Sequence, residues 1–292
     1  MARTVRVMIT GANGLLGTAL CRVFQNNEVI PLTHADIEIT NLDSVKQALN
    51  NYQPGVVLNA AAFTNVDDCE ADKDKAFQVN AIGARNLAVA CQELNIKLVH
   101  FSTNYVFDGE ADSHSIPFTE FDTPVPVNIY GKSKLAGEEL VQQFCLKHFI
   151  VRTSGLFGIA GTSGKGINFL DTMIRLSKER DELNVVNDQF LSFTYTIDLA
   201  EKIAELINTE YYGIFHITNK GPCSWYEFAR EILSLYGSKT PVNAITSDQY
   251  PQKAKRPKFS VLDNYHLRLL KIDELRPWQE ALRDCMVDKG YI

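Results

Sequence analysis

The chain has 292 residues, 45% of them hydrophobic and 22% charged, an ordinary balance with room for one large core and a satellite lobe. Its formal charge of -6 argues against a nucleic-acid or anionic-membrane partner, so an anionic ligand needs a local basic pocket rather than a global field. No apolar run approaches a membrane span, the first six residues lack the features of a signal peptide, and the six cysteines are scattered without a C-x-x-C pair. A cytoplasmic protein with reduced thiols is the expectation.

The first half alternates short β-rich runs with helix-periodic stretches, the pattern of βαβ units and a parallel sheet. Strands are predicted at 5–10, 28–32, 55–59, 97–102 and 149–152, and helices at 15–25, 42–51, 73–94 and 129–145. Val56-Val57-Leu58 lacks polar alternation, as strands covered on both faces do. Later helices are predicted at 168–179, 198–208, 224–236 and 278–288, with strands at 184–186 and 213–218 and a loop over 238–260. The expected fold is α/β: a Rossmann-type doubly wound parallel sheet with a smaller C-terminal substrate-binding lobe. The sheet domain takes residues 1–152 plus roughly 184–218, and the lobe takes roughly 153–183 and 219–292.

Directly after the first strand stands Gly11-Ala12-Asn13-Gly14-Leu15-Leu16-Gly17. Gly11 permits a tight turn, Gly14 lets the backbone approach a pyrophosphate, and Gly17 lets the following helix pack near the strand. The free N–H groups of that helix then face the ligand's negative charge. The second strand is followed by Thr33-His34-Ala35-Asp36, with no acid at its tip to hold the ribose hydroxyls of NAD and repel the extra phosphate of NADP. NADPH is therefore open as cofactor, with NADH as the alternative.

Tyr130 and Lys134 lie four residues apart on one face of a predicted helix, and Ser102-Thr103 ends the preceding strand, where a parallel sheet presents ligand-facing residues. A free tyrosine has a pKa of about 10, too high for easy proton exchange at neutral pH, and a nearby ammonium is expected to lower it. Tyr130 can then give a proton to a carbonyl oxygen while a nicotinamide delivers hydride to carbon. Thr103 would hydrogen-bond the same oxygen, and Lys134 would also hold the nicotinamide ribose.

The combination of Ser102-Thr103-Asn104-Tyr105-Val106-Phe107-Asp108-Gly109 with Tyr130-Gly131-Lys132-Ser133-Lys134-Leu135-Ala136-Gly137-Glu138 resembles the dTDP-4-dehydrorhamnose reductases, a family of extended short-chain dehydrogenase/reductases. Asn59–Asp67, Val151–Ser154, Cys223–Ala229 and Arg256–Leu262 extend the resemblance along essentially the whole chain. It implies NAD(P)H-dependent reduction of the C4 ketone of a dTDP-4-keto-6-deoxy sugar, with Thr103, Tyr130 and Lys134 in the catalytic positions. It puts Leu15, Leu16, Glu38, Ile39, Ala62, Phe63 and Thr64 at the cofactor, besides Gly11, Gly14, Gly17, Tyr130 and Lys134. Thr103, Asn104 and Tyr105 fall where the sugar is held, and Arg256 where a guanidinium suits the diphosphate.

Three departures sit on the substrate side. Asn104 replaces the family's usual Asp, Gly155 its usual Trp, and Leu191 and Phe193 the Gly and Pro of D-Q-x-G-x-P-T. The loss of an indole at Gly155 is expected to open the pocket. Some members bind magnesium through glutamates at a dimer contact. The first-helix position reads Ala19 here, so no metal is carried over, and a homodimer remains an expectation without a named interface. Trp225 reads as core, His34 as a surface residue, and His100 as a satisfied core histidine. Reduction of another nucleotide-linked keto sugar, epimerase or dehydratase chemistry, and a non-catalytic nucleotide-binding subunit are the competing readings. Retention of Thr103, Tyr130 and Lys134 together argues against the last.

Overall fold

The computed structural model describes residues 5–109, 116–161, 167–250, 252–272 and 274–292. Six strands, β1 (Arg6–Thr10), β2 (Glu28–Leu32), β3 (Val56–Asn59), β4 (Lys97–Thr103), β5 (His148–Thr153) and β6 (Gly213–His216), form one parallel sheet in the order β2-β1-β3-β4-β5-β6. The chain leaves β1 for β2 on one side and returns to β3 on the other. This reversal opens a crevice beyond the strands' carboxyl ends, where open α/β sheets bind ligands.

The helices are α1 (Leu15–Val23), α2 (Leu42–Tyr52), α3 (Gly83–Glu93), α4 (Ile129–Phe144), α5 (Phe169–Glu179), α6 (Thr196–Leu206), α7 (Trp225–Tyr236) and α8 (Trp278–Asp288), with shorter turns between them. Both sheet faces are covered. Leu16 and Leu20 of α1 and Leu199 and Ile203 of α6 pack on Val7, Ile9 and Leu58, whereas Leu49 of α2 and Leu87 of α3 pack on Met8, Val57 and Leu98. Fully burying each such leucine contributes about 1.5–3 kcal/mol, which is why the strands read as unbroken apolar runs.

The predicted helix over 73–94 forms in three pieces: Lys73–Phe77, a π-helical turn at Gln78–Ile82, and α3. The wide turn sets Asn80 against the loop after β3, where its Oδ1 accepts from Phe63 N at 2.8 Å and its Nδ2 donates to Phe63 O at 3.0 Å. π turns of this kind recur at functional sites.

A third apolar cluster gathers Leu170, Met173 and Ile174 of α5, Phe228 and Ile232 of α7, and Leu282 and Met286 of α8. The stretch 238–260, expected as loop, contains a strand at Val242–Ile245 that runs parallel to Leu183–Val186, outside the central sheet. Asn243 and Ala244 are exposed, so this strand carries no alternating signal. Ser224 and Asn168 close capping boxes at the starts of α7 and α5. Among the described residues no helix is long and apolar enough to cross a membrane, and no group of His, Cys, Asp or Glu could hold a metal ion.

Candidate active site

Between β1 and α1 the chain turns through Gly11, whose φ of +68° is costly for any residue with a Cβ. A Cβ on Gly17 would stand 2.1 Å from Gly11 O, so the helix meets the turn only because both residues are glycine. Gly14 is the N-cap of α1 and has no side-chain cap, and the first turn holds no acid. The N–H groups of Leu15, Leu16 and Gly17 are therefore left without a capping side chain, at the positive end of the helix.

This turn forms the floor of a cleft with two joined compartments of about 660 and 370 Å³ that share Gly14, Ala60 and Ala62. The larger is walled by Gly11, Glu38, Ile39 and Phe63; the smaller by Leu15, Leu16, Gly17, Thr64, Thr103 and Tyr130, with Lys134 at its base. All of the residues expected at the cofactor thus lie on one continuous surface. The acids after β2 are engaged by their own turns. Asp36 accepts from Thr33 N and Oγ1, and Glu38 accepts from Thr40 N at 3.0 Å and Thr40 Oγ1 at 2.8 Å. These bonds hold both carboxyls below the usual range. Lys75 lines the same compartment with its Nζ 5.0 Å from the Phe63 ring centre. Nothing in the local sequence distinguished this lysine, which reaches the cleft from the helix beyond β3.

In the smaller compartment Thr103 ends β4 and Tyr130 opens α4, which Asn128 caps by accepting from Gly131 N at 2.8 Å. The Tyr105 and Tyr130 rings meet edge-to-face with centres 5.9 Å apart. Thr103 Oγ1 accepts from Tyr105 N at 3.2 Å and donates to Asn104 Oδ1 at 3.2 Å, on the same compartment wall as Tyr130. Lys134 Nζ donates to Phe101 O at 2.6 Å and lies 3.4 Å from His100 Nε2. Burial pulls the Lys134 ammonium down to about 8, against the opposing charge of Glu138. The expected lowering of the Tyr130 pKa is absent. Burial pushes the phenol well above its ordinary value, with only Thr103 acting downward. Lys134 is turned toward the Phe101 carbonyl, so desolvation decides. Tyr130 is held as a protonated acid, the form a carbonyl reduction consumes.

Beneath the compartment Glu138 and Arg152 form a fully buried ion pair at 2.7 Å, and Ser102 Oγ also donates to Glu138. On the outer side Asn104 Nδ2 donates to Ser260 Oγ at 2.7 Å. Arg256, expected at the diphosphate, donates to Asp67 Oδ1 and Ala254 O, each at 2.7 Å, and its charge opposes the upward push of burial on the Tyr105 phenol. It lines a different hollow, of about 430 Å³, together with Lys255, Lys258 and Tyr250. The structure therefore brings Thr103, Asn104, Tyr130, Lys134 and Gly155 onto one compartment, while Arg256 lines the neighbouring hollow.

A family model described as the RmlD substrate binding domain matches residues 5–290. A solved structure titled dTDP-4-dehydrorhamnose reductase from Bacillus anthracis, in complex with NADP, is 42% identical with a TM-score of 0.93, covering 98% of this chain and 100% of its own. A Clostridium acetobutylicum structure of the same name is 45% identical with a TM-score of 0.92 over 98% and 100%. The spore coat polysaccharide biosynthesis protein SpsK of Bacillus subtilis is 41% identical over 98% of both chains. The chain belongs to the dTDP-4-dehydrorhamnose reductase family.

Against that family's usual pattern, the departures around Gly155 prove to be one packing solution. A Cβ on Gly155 would lie 3.0 Å from Leu191 Cδ1 and 3.0 Å from Phe193 Cδ1. Leu191 and Phe193 thus crowd the position where a side chain at residue 155 would begin, while Gly155 itself lines the compartment. Phe193 in turn stacks on Phe228 at 3.8 Å and meets Trp225 edge-on at 4.9 Å. Thr153 and Ser154, next to Gly155, are buried on the same cleft wall, and among the described residues their hydroxyls find no hydrogen-bond partner. Sequence reasoning passed over both. Their signal was the place of Thr153 at the end of β5, in register with Thr103.

Proposed function

We propose that this protein reduces the C4 ketone of dTDP-4-dehydro-L-rhamnose to dTDP-L-rhamnose, with NADPH as the reductant. The carrying observation is the placement of Thr103, Tyr130 and Lys134 together on one compartment of a cleft that begins at the glycine turn. Gly11, Gly14 and the first turn of α1 would hold the cofactor's pyrophosphate, Lys134 the nicotinamide ribose, and Phe63 with Ile39 the adenosine end. When bound, the reduced nicotinamide supplies hydride. Tyr130 gives its proton to the ketone oxygen, and Thr103, anchored by Tyr105 N, fixes that oxygen by a hydrogen bond. NADPH is favoured over NADH because Asp36 and Glu38 are turned to their own backbone while Lys75 faces the adenosine compartment.

The substrate-binding lobe is assigned to the cluster around α5, α7 and α8, against which the sheet domain closes the cleft. Arg256 reaches the sugar side only indirectly, through its ion pair with Asp67 and its charge near the Tyr105 phenol. A cytoplasmic location is part of the same proposal, supported by six cysteines that are all free. A different nucleotide-linked keto sugar is the second reading, favoured by Asn104 and Gly155, which line the same compartment as Tyr130.

The test is turnover. Purified protein oxidises NADPH when the keto sugar is added, and NMR identifies the product. Tyr130→Phe loses about 10²–10⁴-fold in kcat with NADPH affinity unchanged. Absence of turnover with any nucleotide-linked keto sugar, despite cofactor binding, would favour a binding subunit instead.

A further inference from the structure

Three polar side chains lie side by side in a single row across the sheet, between the apolar core and the ends of the strands. Thr10 at the end of β1 lies in register with Asn59 of β3, and Asn59 with His100 of β4. Two residues earlier on each strand the same face carries Met8, Val57 and Leu98, all in the apolar core. All members of the row are buried, and their side chains bond in sequence. Thr10 Oγ1 meets Asn59 Oδ1 at 2.8 Å, and Asn59 Nδ2 meets His100 Nδ1 at 3.0 Å. The free end of the row, His100 Nε2, is the atom 3.4 Å from Lys134 Nζ.

An ammonium has three N–H donors and no lone pair. Phe101 O takes one and His100 Nε2 a second, both from below, which leaves the third for the compartment where Tyr130 and Thr103 stand. For Nε2 to accept, the ring must be neutral and carry its proton on Nδ1. Asn59 must then present its amide oxygen to the ring and its NH2 to Thr10, a half-turn that exchanges O and N in place. A charged Lys134 selects this direction for the whole row.

We propose that His100 is a positioning residue for Lys134: the row Thr10–Asn59–His100 holds the imidazole as its Nδ1–H tautomer, whose Nε2 lone pair aims the ammonium at the reacting end of the cleft. The inference rests on the reading of Lys134 as part of the reductase site. Burial and the Lys134 charge both keep His100 neutral, which agrees with it. The other titratable groups around Lys134 are Tyr130 one turn before it and Glu138 one turn after it on α4, with Glu138 already paired to Arg152 of β5.

The experiment compares His100→Leu and His100→Gln in the full-length protein. His100→Leu removes an acceptor from the ammonium. It lowers kcat by about tenfold or more, with KM for the keto sugar within about twofold, and moves the alkaline limb of the kcat–pH profile down by about one pH unit. His100→Gln, which can offer an oxygen in the same place, recovers most of kcat. A folded His100→Leu protein with unchanged kcat and pH profile overturns the inference. Should that variant not fold, ¹⁵N NMR of the wild-type imidazole decides: a ring protonated at Nδ1, bare at Nε2 and unchanged from about pH 6 to 8 supports it. A proton on Nε2, or a titrating ring, overturns it. This readout needs no turnover, so it separates failure of the row from failure of the reductase reading.

Discussion

Adding one methyl group at Gly155 tests the packing argument directly. In Gly155→Ala the backbone keeps a φ of +51°, a left-handed conformation that costs an L-residue roughly 1–2 kcal/mol. The new Cβ also enters at 3.0 Å from both Leu191 Cδ1 and Phe193 Cδ1 and 3.1 Å from Phe193 Cα. Those neighbours are 4% and 1% exposed, and Phe193 is stacked on Phe228, so they yield only by disturbing the lobe's core. Overpacking of this kind costs about 1–3 kcal/mol. The two terms together give a loss of about 3 kcal/mol, equivalent to roughly 6–12 °C in melting temperature for a chain of this size. Thermal melts and urea midpoints at unchanged m-value measure it. Gly155→Trp costs more. Combining it with Leu191→Gly and Phe193→Pro, the usual pattern of the family, regains part of the loss. A Gly155→Ala protein that melts with the wild type would refute the reasoning, as would a triple variant no more stable than Gly155→Trp alone.

Further outcomes follow from the same site. As pH rises through about 8, Lys134 loses the charge that burial already disfavours, so kcat declines on the alkaline side, while Tyr130, pushed upward, stays protonated. A pH–rate profile flat to pH 10 contradicts this. The linkage to stability has the opposite sense. A lysine whose folded pKa is depressed binds its proton less tightly than in the unfolded chain, so its contribution to stability increases between about 8 and 10.5. Glu138→Gln leaves Arg152 buried without its countercharge and costs about 3–5 kcal/mol in denaturant melts. Adding Arg152→Met restores much of this, and strict additivity of the two changes would argue against the pair. Ser154→Ala removes a buried hydroxyl that has no partner among the described residues, so stability is unchanged or slightly higher. If that hydroxyl serves the ligand, KM for cofactor or sugar rises; unchanged kinetic constants would show that it does not.

The parallel sheet was legible because its signals are local. Apolar runs without alternation, such as Val56-Val57-Leu58, mark strands covered on both faces, and the glycine spacing from Gly11 to Gly17 marks a turn that a Cβ would block. The strand at Val242–Ile245 was not legible, since its sequence is half exposed and its partner among the described residues, Leu183–Val186, is distant in the chain. The π turn at Gln78–Ile82 escaped for a related reason: it keeps helical periodicity while shifting Asn80 toward Phe63.

For the site, the amino-acid order alone determined which groups are present: the glycine turn, Thr103, and Tyr130 with Lys134 on one helical face. Such spacing is a property of the chain's own geometry. Their electrostatic states were decided only in three dimensions. Whether Lys134 lowers the Tyr130 pKa depends on where its Nζ points and how much water remains, and burial reversed the expected sign. Arg256 carries a charge that the sequence leaves unpartnered, and only the fold pairs it with Asp67, far away in the chain. Gly155 read as empty space in the sequence, but the room for a Cβ there is set by packing, and Leu191 and Phe193 stand 3.0 Å from it.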